Sequence, residues 1–269
     1  MELTDILRCP KTGSRLRFVA GDLIVHAENA DVTYPVVDGI VDFCGEERDR
    51  INKSYDAVAP RYDRYITSSS LFLKVCNTIV WGPDYDNNYL GTLLSYLPER
   101  FDGVLLDVPA GTAIFTSSVY ARFPNATIIG VDSSMGMLRK ARERFEQQGL
   151  RNVCLVRADV AALPVRDGVA DIVLSMNGWH AFADKRRATA EMRRVLRKDG
   201  KLVACGYVKG VRRTADWFVS RFGVRNGYFT PPFFGIDDIA KQFEGFTITR
   251  QGNIESVAYF EGINEGKEN

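Results

Sequence analysis

Between residues 104 and 205 the chain alternates short apolar runs with stretches of helical periodicity. Val104-Leu105-Leu106-Asp107-Val108, Thr127-Ile128-Ile129-Gly130-Val131-Asp132, Val153-Cys154-Leu155-Val156, Ala170 to Met176 and Lys201 to Cys205 have the length and composition of buried strands. Helices are expected over 112–123, from Ser134 to Gln147 and from Asp184 to Leu196. The second places Met137, Leu138, Ala141 and Phe145 on one face, and Gly149 stops it. Phe246-Thr247-Ile248-Thr249 and Val257-Ala258-Tyr259-Phe260 suit an antiparallel pair at a sheet edge. Alternation of this kind builds a doubly wound, mostly parallel α/β sheet with helices on both faces.

The first 50 residues follow another pattern. Arg15 to Val19 and Leu23 to His26 flank the turn Ala20-Gly21-Asp22, and Tyr34 to Phe43 follows as an extended segment. This predicts a hairpin plus one further strand, a small β-rich domain (1–50) with too little core to stand alone, so packing against the larger domain (51–269) is expected. The charged stretch 45–50 reads as a linker. Helices are predicted over 53–65, with Tyr55, Val58, Ala59 and Tyr62 on one face and a kink at Pro60, and over 71–80 and 87–97. Residues 53–97 thus read as lid helices. A second segment, 207–235, is rich in aromatics: Trp217, Phe218, Phe222, Tyr228, Phe229, Phe233 and Phe234. A lid over an apolar acceptor, core packing and a dimer surface all suit it.

Charge and cysteine usage narrow the classes. The formal net charge is +1, which argues against a nucleic-acid partner held by a basic surface. The local run of Lys185, Arg186, Arg187, Arg193, Arg194, Arg197 and Lys198 reads as a solvated helix face. No stretch reaches the roughly 20 apolar residues of a membrane span, and the first residues lack a basic-then-apolar signal pattern, so a cytoplasmic protein without a membrane partner is expected. Five scattered cysteines (9, 44, 76, 154, 205) read as reduced thiols. Oligomerisation stays open.

Ligands of such sheets sit beyond the carboxyl ends of the strands. Four strand ends carry informative residues. Asp107-Val108-Pro109-Ala110-Gly111-Thr112 has a single glycine where a dinucleotide site needs Gly-x-Gly-x-x-Gly, so a cofactor without a pyrophosphate cradle is expected. Asp132 can accept from ribose hydroxyls or cap the next helix. Asp159 suits an amino group of a base or an ordinary turn. Asn177-Gly178-Trp179-His180 suggests a site floor.

Taken in order, Leu105-Leu106-Asp107-Val108-Pro109-Ala110-Gly111-Thr112, Gly130-Val131-Asp132-Ser133-Ser134-Met135-Gly136-Met137-Leu138, Arg157-Ala158-Asp159-Val160 and Arg194-Val195-Leu196-Arg197-Lys198-Asp199-Gly200-Lys201-Leu202 resemble class I S-adenosylmethionine-dependent methyltransferases of the small-molecule type. The resemblance implies a seven-stranded sheet with a reversed final hairpin. It implies S-adenosylmethionine as cofactor, with Asp107, Pro109, Ala110 and Gly111 bordering its methionine end and Asp132 on the ribose. Ser133 and Met137 would border the adenine, with Asp159 at its amino group and Val160 on its face, while Asn177 would lie near the sulfonium. Tyr55 and Tyr62 resemble the family's Tyr-Asp…Tyr-Asp lid. Pro109 and Ala113 depart from the usual Gly-x-Gly-x-Gly.

A second resemblance concerns residues 1–50. Ile6-Leu7-Arg8-Cys9-Pro10 with Tyr34-Pro35-Val36-Val37-Asp38-Gly39-Ile40 is similar to the small zinc-ribbon-like domain that precedes some bacterial methyltransferases and serves others as an activator subunit. Cys9-Pro10-Lys11-Thr12 lacks the second cysteine of Cys-Pro-x-Cys, so no metal is expected.

Methyl transfer needs a base only where the acceptor must lose a proton. His180 is the candidate, its alternative being a packing residue. Trp81, Tyr85, Trp179, Tyr228 and Phe233 are the candidate acceptor contacts. Two other functions fit the same pattern: an RNA methyltransferase positioned by residues 1–50, and a non-catalytic cofactor-binding or partner protein.

Overall fold

The computed structural model describes residues 3–19, 23–26, 32–44, 55–56, 59, 62–63, 70–85 and 88–266. The strands are β1 (Leu16–Val19), β2 (Leu23–His26), β3 (Thr33–Val37), β4 (Ile40–Asp42), β5 (Val104–Asp107), β6 (Thr127–Asp132), β7 (Val153–Arg157), β8 (Ala170–Met176), β9 (Leu196–Tyr207), β10 (Phe246–Ile254) and β11 (Val257–Asn264). The helices are α1 (Leu3–Ile6), α2 (Leu71–Trp81), α3 (Asn88–Leu94), α4 (Ser117–Tyr120), α5 (Met135–Gln148), α6 (Lys185–Val195), α7 (Arg213–Phe218) and α8 (Ile239–Gln242). Tyr55, Asp56, Ala59, Tyr62 and Asp63 also have helical backbone; the rest of the expected helix 53–65, like the linker 45–50, lies outside the described residues.

All strands join one sheet in the order β1-β2-β3-β4-β7-β6-β5-β8-β9-β11-β10. The seven strands from β7 to β10 form the expected doubly wound core: β7, β6, β5, β8 and β9 are parallel, and β11 runs antiparallel to β9 and to β10. The strand order reverses beside β5, which puts a crevice at its carboxyl end. Helix α5 forms where it was expected. Ser134 Oγ accepts the Met137 N–H at its start, and Gly149 closes it in a left-handed conformation. Asp184 likewise caps α6.

Two features differ from the sequence reading. The helix expected over 112–123 shrinks to α4, because Gly111 (φ 55°) and Ala113 (φ 53°) both adopt left-handed backbone that an α-helix cannot propagate. The residues between Asp107 and Ser117 form a tight turn lining the crevice instead. The N-terminal strands are also more than a neighbour. Their antiparallel meander runs into β4, which pairs in parallel with β7 through Val41–Val156 and Asp42–Arg157. Ile6, Leu7, Cys9, Leu16, Tyr34 and Val41 share one apolar cluster with Val156, Leu163 and Val165, so the small unit gains its core by borrowing.

The junction is pinned by a buried ion pair. Arg157 Nη1 meets Asp42 Oδ2 at 3.0 Å, with residue exposures of 2% and 7%. Arg157 Nε also donates to the Ser133 carbonyl at 3.1 Å, so the same side chain ties β4 to the loop after β6. Removing one partner strands a buried charge, which costs about 3–5 kcal/mol. Asp42→Ala should therefore lower unfolding free energy by about 3 kcal/mol in urea titrations; a loss under about 1 kcal/mol would show that the pair does not hold the meander in place.

Candidate active site

A cavity of about 650 Å³ opens at the carboxyl ends of β5, β6, β7 and β8. Tyr55, Tyr62, Asp107, Pro109, Ala110, Gly111, Asp132, Ser133, Met137, Asp159, Val160 and Asn177 all line it, as do Trp81, Tyr85, Tyr228 and His180. Residues scattered from Tyr55 to Tyr228 in sequence thus face one space.

Asp107 is buried at the end of β5. Its Oδ2 accepts from Tyr120 Oη and, at 3.3 Å, from Thr116 Oγ1. Its Oδ1 is buried with no hydrogen-bond partner. Burial raises this carboxyl to about 7 despite the two hydroxyl donors. A buried acceptor left open beside a cavity fits a ligand bearing an ammonium or amide donor. The turn beyond it leaves room as well: at Gly111 an added Cβ would meet nothing within 4 Å.

Asp132 closes the next strand and joins two loops. Its Oδ2 accepts the Gly111 N–H at 2.9 Å and its Oδ1 the Ser134 N–H at 2.8 Å. Burial lifts it to about 6, against the lowering effect of those amides. Each oxygen keeps a second lone pair for a hydroxyl. The capping alternative is divided: Ser134 caps α5, while Asp132 holds the turn. Asp159 accepts the Ala161 N–H at 3.0 Å, so it caps a short 3₁₀ turn and also lines the cavity.

Three important side chains were not singled out by sequence. Asp56 Oδ1 accepts from Ser134 Oγ at 2.5 Å and the Gly136 N–H at 3.0 Å. Asp63 accepts from Thr112 Oγ1 at 2.6 Å and pairs with Arg144. These carboxylates fasten the Tyr55 and Tyr62 segment to the two loops that Asp132 joins. The paired Tyr-Asp spelling held the signal, and only its tyrosines were used. Tyr89, from α3, receives a hydrogen bond from Asn177 Nδ2 at 3.1 Å and lines the cavity; nothing in its sequence context marks it.

The far end of the cavity is aromatic. Trp81 stacks on Tyr85 (centroids 5.3 Å) and on Phe229 (6.2 Å), and Tyr207 meets Phe229 edge-on at 5.6 Å. Tyr55 packs edge-on against Tyr228 at 5.5 Å. Two of the expected acceptor contacts lie elsewhere. Trp179 is buried away from the cavity, stacked on Phe260 with its Nε1–H donating to the Tyr207 carbonyl. It packs against Gly206, where a Cβ would come within 2.6 Å of the indole. Phe233 backs Tyr207 at 5.5 Å without lining the cavity.

His180 faces the cavity but is not built as a base. Its Nδ1 accepts the Tyr207 N–H at 3.2 Å, its ring stacks on Phe229 at 4.5 Å, and burial, with Lys185 adding, holds it down to about 3. The neutral ring therefore carries its proton on Nε2, leaving no free lone pair for a substrate proton. The side chain positions β9 and Phe229.

Residues 105–200 match the family model described as a methyltransferase domain. The chain is 32% identical to a demethylmenaquinone methyltransferase of Thermus thermophilus over 152 residues, covering 55% of this chain and 62% of that one. It is 42% identical to a malonyl-[acyl-carrier protein] O-methyltransferase of Geobacter sulfurreducens over 96 residues, 36% of this chain and 35% of the relative. Over residues 105–200 the chain is therefore similar to methyltransferase domains. These matches span about a third to three fifths of the relatives' own length. Solved structures share the fold. An S-adenosylmethionine-dependent methyltransferase of Thermotoga maritima, described as a possible histamine N-methyltransferase, superposes with TM-score 0.58 at 18% identity, covering 80% of this chain and 99% of that one. A chain from the complex of the Haloferax volcanii Trm112 methyltransferase activator with its putative methyltransferase gives 0.61 at 14% identity, covering 78% and 97%. The open Asp107 oxygen and the space at Gly111 fit the methionine end of S-adenosylmethionine, the cofactor named for the Thermotoga maritima neighbour.

The Asp107 carboxyl sets a measurable pH dependence. Between its ordinary value of 3.8 and about 7 the folded protein keeps a proton that the unfolded chain has released. Stability from this group therefore falls as pH rises through that window. Without cofactor, the urea midpoint of the wild type should fall relative to Asp107→Asn between about pH 4 and 7. Asp132, shifted in the same sense chiefly by its own burial, is present in both proteins, so most of its pH dependence is common to them. Parallel midpoints across that range would show that Asp107 is ionised throughout.

Proposed function

We propose that the protein transfers a methyl group from S-adenosylmethionine to a small-molecule acceptor with an apolar or aromatic body. One observation carries the reading: a single cavity has buried carboxyls at one end and an aromatic wall of Trp81, Tyr85, Tyr207 and Phe229 at the other. The names of the relatives, which include a quinone-type and a carboxyl acceptor, are consistent with it.

In this reading Asp107 Oδ1 receives the ammonium of the methionine portion, and Asp132 holds the ribose hydroxyls. Ser133 and Met137 border the adenine, with Asp159 at its amino group and Val160 on its face. Asn177, oriented by Tyr89, sits near the sulfur. Bound S-adenosylmethionine supplies an electrophilic methyl group. The protein supplies alignment and exclusion of water. Tyr55 and Tyr62 close the cofactor end, and the aromatic wall fixes the acceptor's plane. His180 keeps its proton, and burial raises Tyr85 to about 12. The acceptor is therefore one whose nucleophile is already ionised or loses its proton to solvent, such as a carboxylate or an acidic enol or phenol.

Calorimetric titration with S-adenosylhomocysteine tests the assignment. Asp132→Ala should weaken binding by roughly tenfold or more, with an unchanged circular dichroism spectrum. Wild-type affinity in that variant would displace the ribose site, and no saturable heat at millimolar cofactor would sink the reading.

A further inference from the structure

Helix α2 turns its polar side to the cavity and its apolar side outward. Lys74, Asn77, Thr78 and Trp81 line the cavity. Leu71, Phe72, Val75 and Ile79 point to solvent, with Leu71 77% and Phe72 73% exposed. Beside α2 runs α7 with the π turn that extends it: Thr214 Oγ1 donates to the Val80 carbonyl at 3.0 Å. This second segment exposes Val211, Trp217 (62%), Phe222 and Val224. Two adjoining elements thus present eight large exposed apolar side chains, an arrangement a water-facing surface avoids.

The cations around them are as uneven. Residues 209–225 contain Lys209, Arg212, Arg213, Arg221 and Arg225 against one acid, Asp216, in a chain whose net charge is +1. Asp216 is engaged by Tyr207 Oη at 2.6 Å and the Gly210 N–H. Arg213, Arg221 and Arg225 are exposed and make no ion pair among the described residues. Arg213, Trp217 and Arg221 follow one another at intervals of four, so cations and an indole share one helical face. The ridge is also continuous with the cavity: Trp217 meets Phe222, Phe222 meets Phe218, and Phe218 meets Trp81, with centroids 5.4, 5.6 and 6.0 Å apart.

We propose that α2 and α7 form a docking face for an anionic lipid surface. Exposed Trp, Phe and Leu enter the headgroup boundary while the unpaired arginines meet lipid phosphates. The charge decides between occupants. A second copy of the chain would bring the same arginines together, whereas an anionic bilayer complements them. No helix among the described residues is long and apolar enough to cross a membrane, so the attachment is peripheral and reversible. Docked this way, the aromatic end of the cavity lies against the lipid.

Vesicle co-sedimentation with the full chain tests the face without needing a methyl acceptor. Wild type should pellet with vesicles of phosphatidylcholine plus about one third phosphatidylglycerol, and not with phosphatidylcholine alone. About 0.5 M salt should release it. Phe72→Ser with Trp217→Ser, and separately Arg213→Glu with Arg221→Glu and Arg225→Glu, should each reduce partitioning roughly tenfold. Both sets keep S-adenosylhomocysteine affinity by calorimetry, which separates this outcome from failure of the cofactor site. Equal binding to both vesicle types, or unchanged partitioning of the variants, overturns the proposal. So does a wild-type dimer in sedimentation velocity that the Phe72→Ser, Trp217→Ser variant abolishes, since a second copy then covers the face.

Discussion

The Asp132 carboxylate holds the cavity's polar end in shape. By accepting one N–H from the turn after β5 and another from the loop after β6, it fixes two strand-end loops at a common distance. Such a bridge is strong because amide donors to an ionised or shared carboxylate are charge-assisted. The surrounding groups depend on it in turn. Asp56 grips Ser134 and Gly136, and Asp63 grips Thr112, so the segment bearing Tyr55 and Tyr62 is fastened to the very loops that Asp132 has set. Three carboxylates in one small region would repel one another were each not given its own donors. Hydrogen bonds from backbone amides and hydroxyls keep the arrangement stable while leaving lone pairs for a ligand.

The same economy is seen in the turn after β5, which has one glycine. Gly111 takes a left-handed backbone, as the spacing suggests, but so does Ala113, at a conformation that costs an ordinary residue about 1 kcal/mol. Pro109 packs over Gly178, where an added Cβ would come within 2.4 Å of its ring. The glycine missing from the first turn is therefore matched by a glycine after β8. A departure from the motif in one loop is compensated in the loop facing it.

The fold was legible wherever periodicity was strong. Five parallel strands, α5 with both its caps and the reversed final hairpin all follow from apolar spacing and from Ser134, Gly149 and Asp184. Positive φ values do not show in an apolar pattern, and so α4 was overextended. The continuation of the N-terminal meander into the sheet was hidden because pairing of β4 with β7 joins residues 115 positions apart. At the site, residues at strand ends could be placed because topology fixes where strand ends go. Trp179 and His180 could not be assigned the same way. Two neighbours after one strand point in different directions, and local sequence does not say which enters the core. Tyr89 and the lid aspartates act through contacts with distant loops, which no local pattern encodes.

The protonation state of His180 bears on how the domain works. A histidine that accepts a backbone N–H and stacks on Phe229 is committed to structure, and its burial keeps it neutral across the physiological range. The Asp107 and Asp132 carboxyls sit at the opposite, polar end of the cavity, where Asp132 bridges two loops. No side chain among the described aromatic wall has a proton affinity near neutrality suited to general-base work. In the proposed methyl transfer the barrier is then lowered chiefly by alignment, for which well-oriented reactants gain effective molarities of about 10⁵ M or more. Rigid aromatic planes suit that purpose, because side chains stacked like Trp81, Tyr85 and Phe229 would restrict a flat acceptor to one orientation with little loss of side-chain freedom. On the proposed function, a cavity built from fixed planes and pinned loops is the device that aligns the reactants, and its selectivity lies in which acceptors arrive already prepared to react.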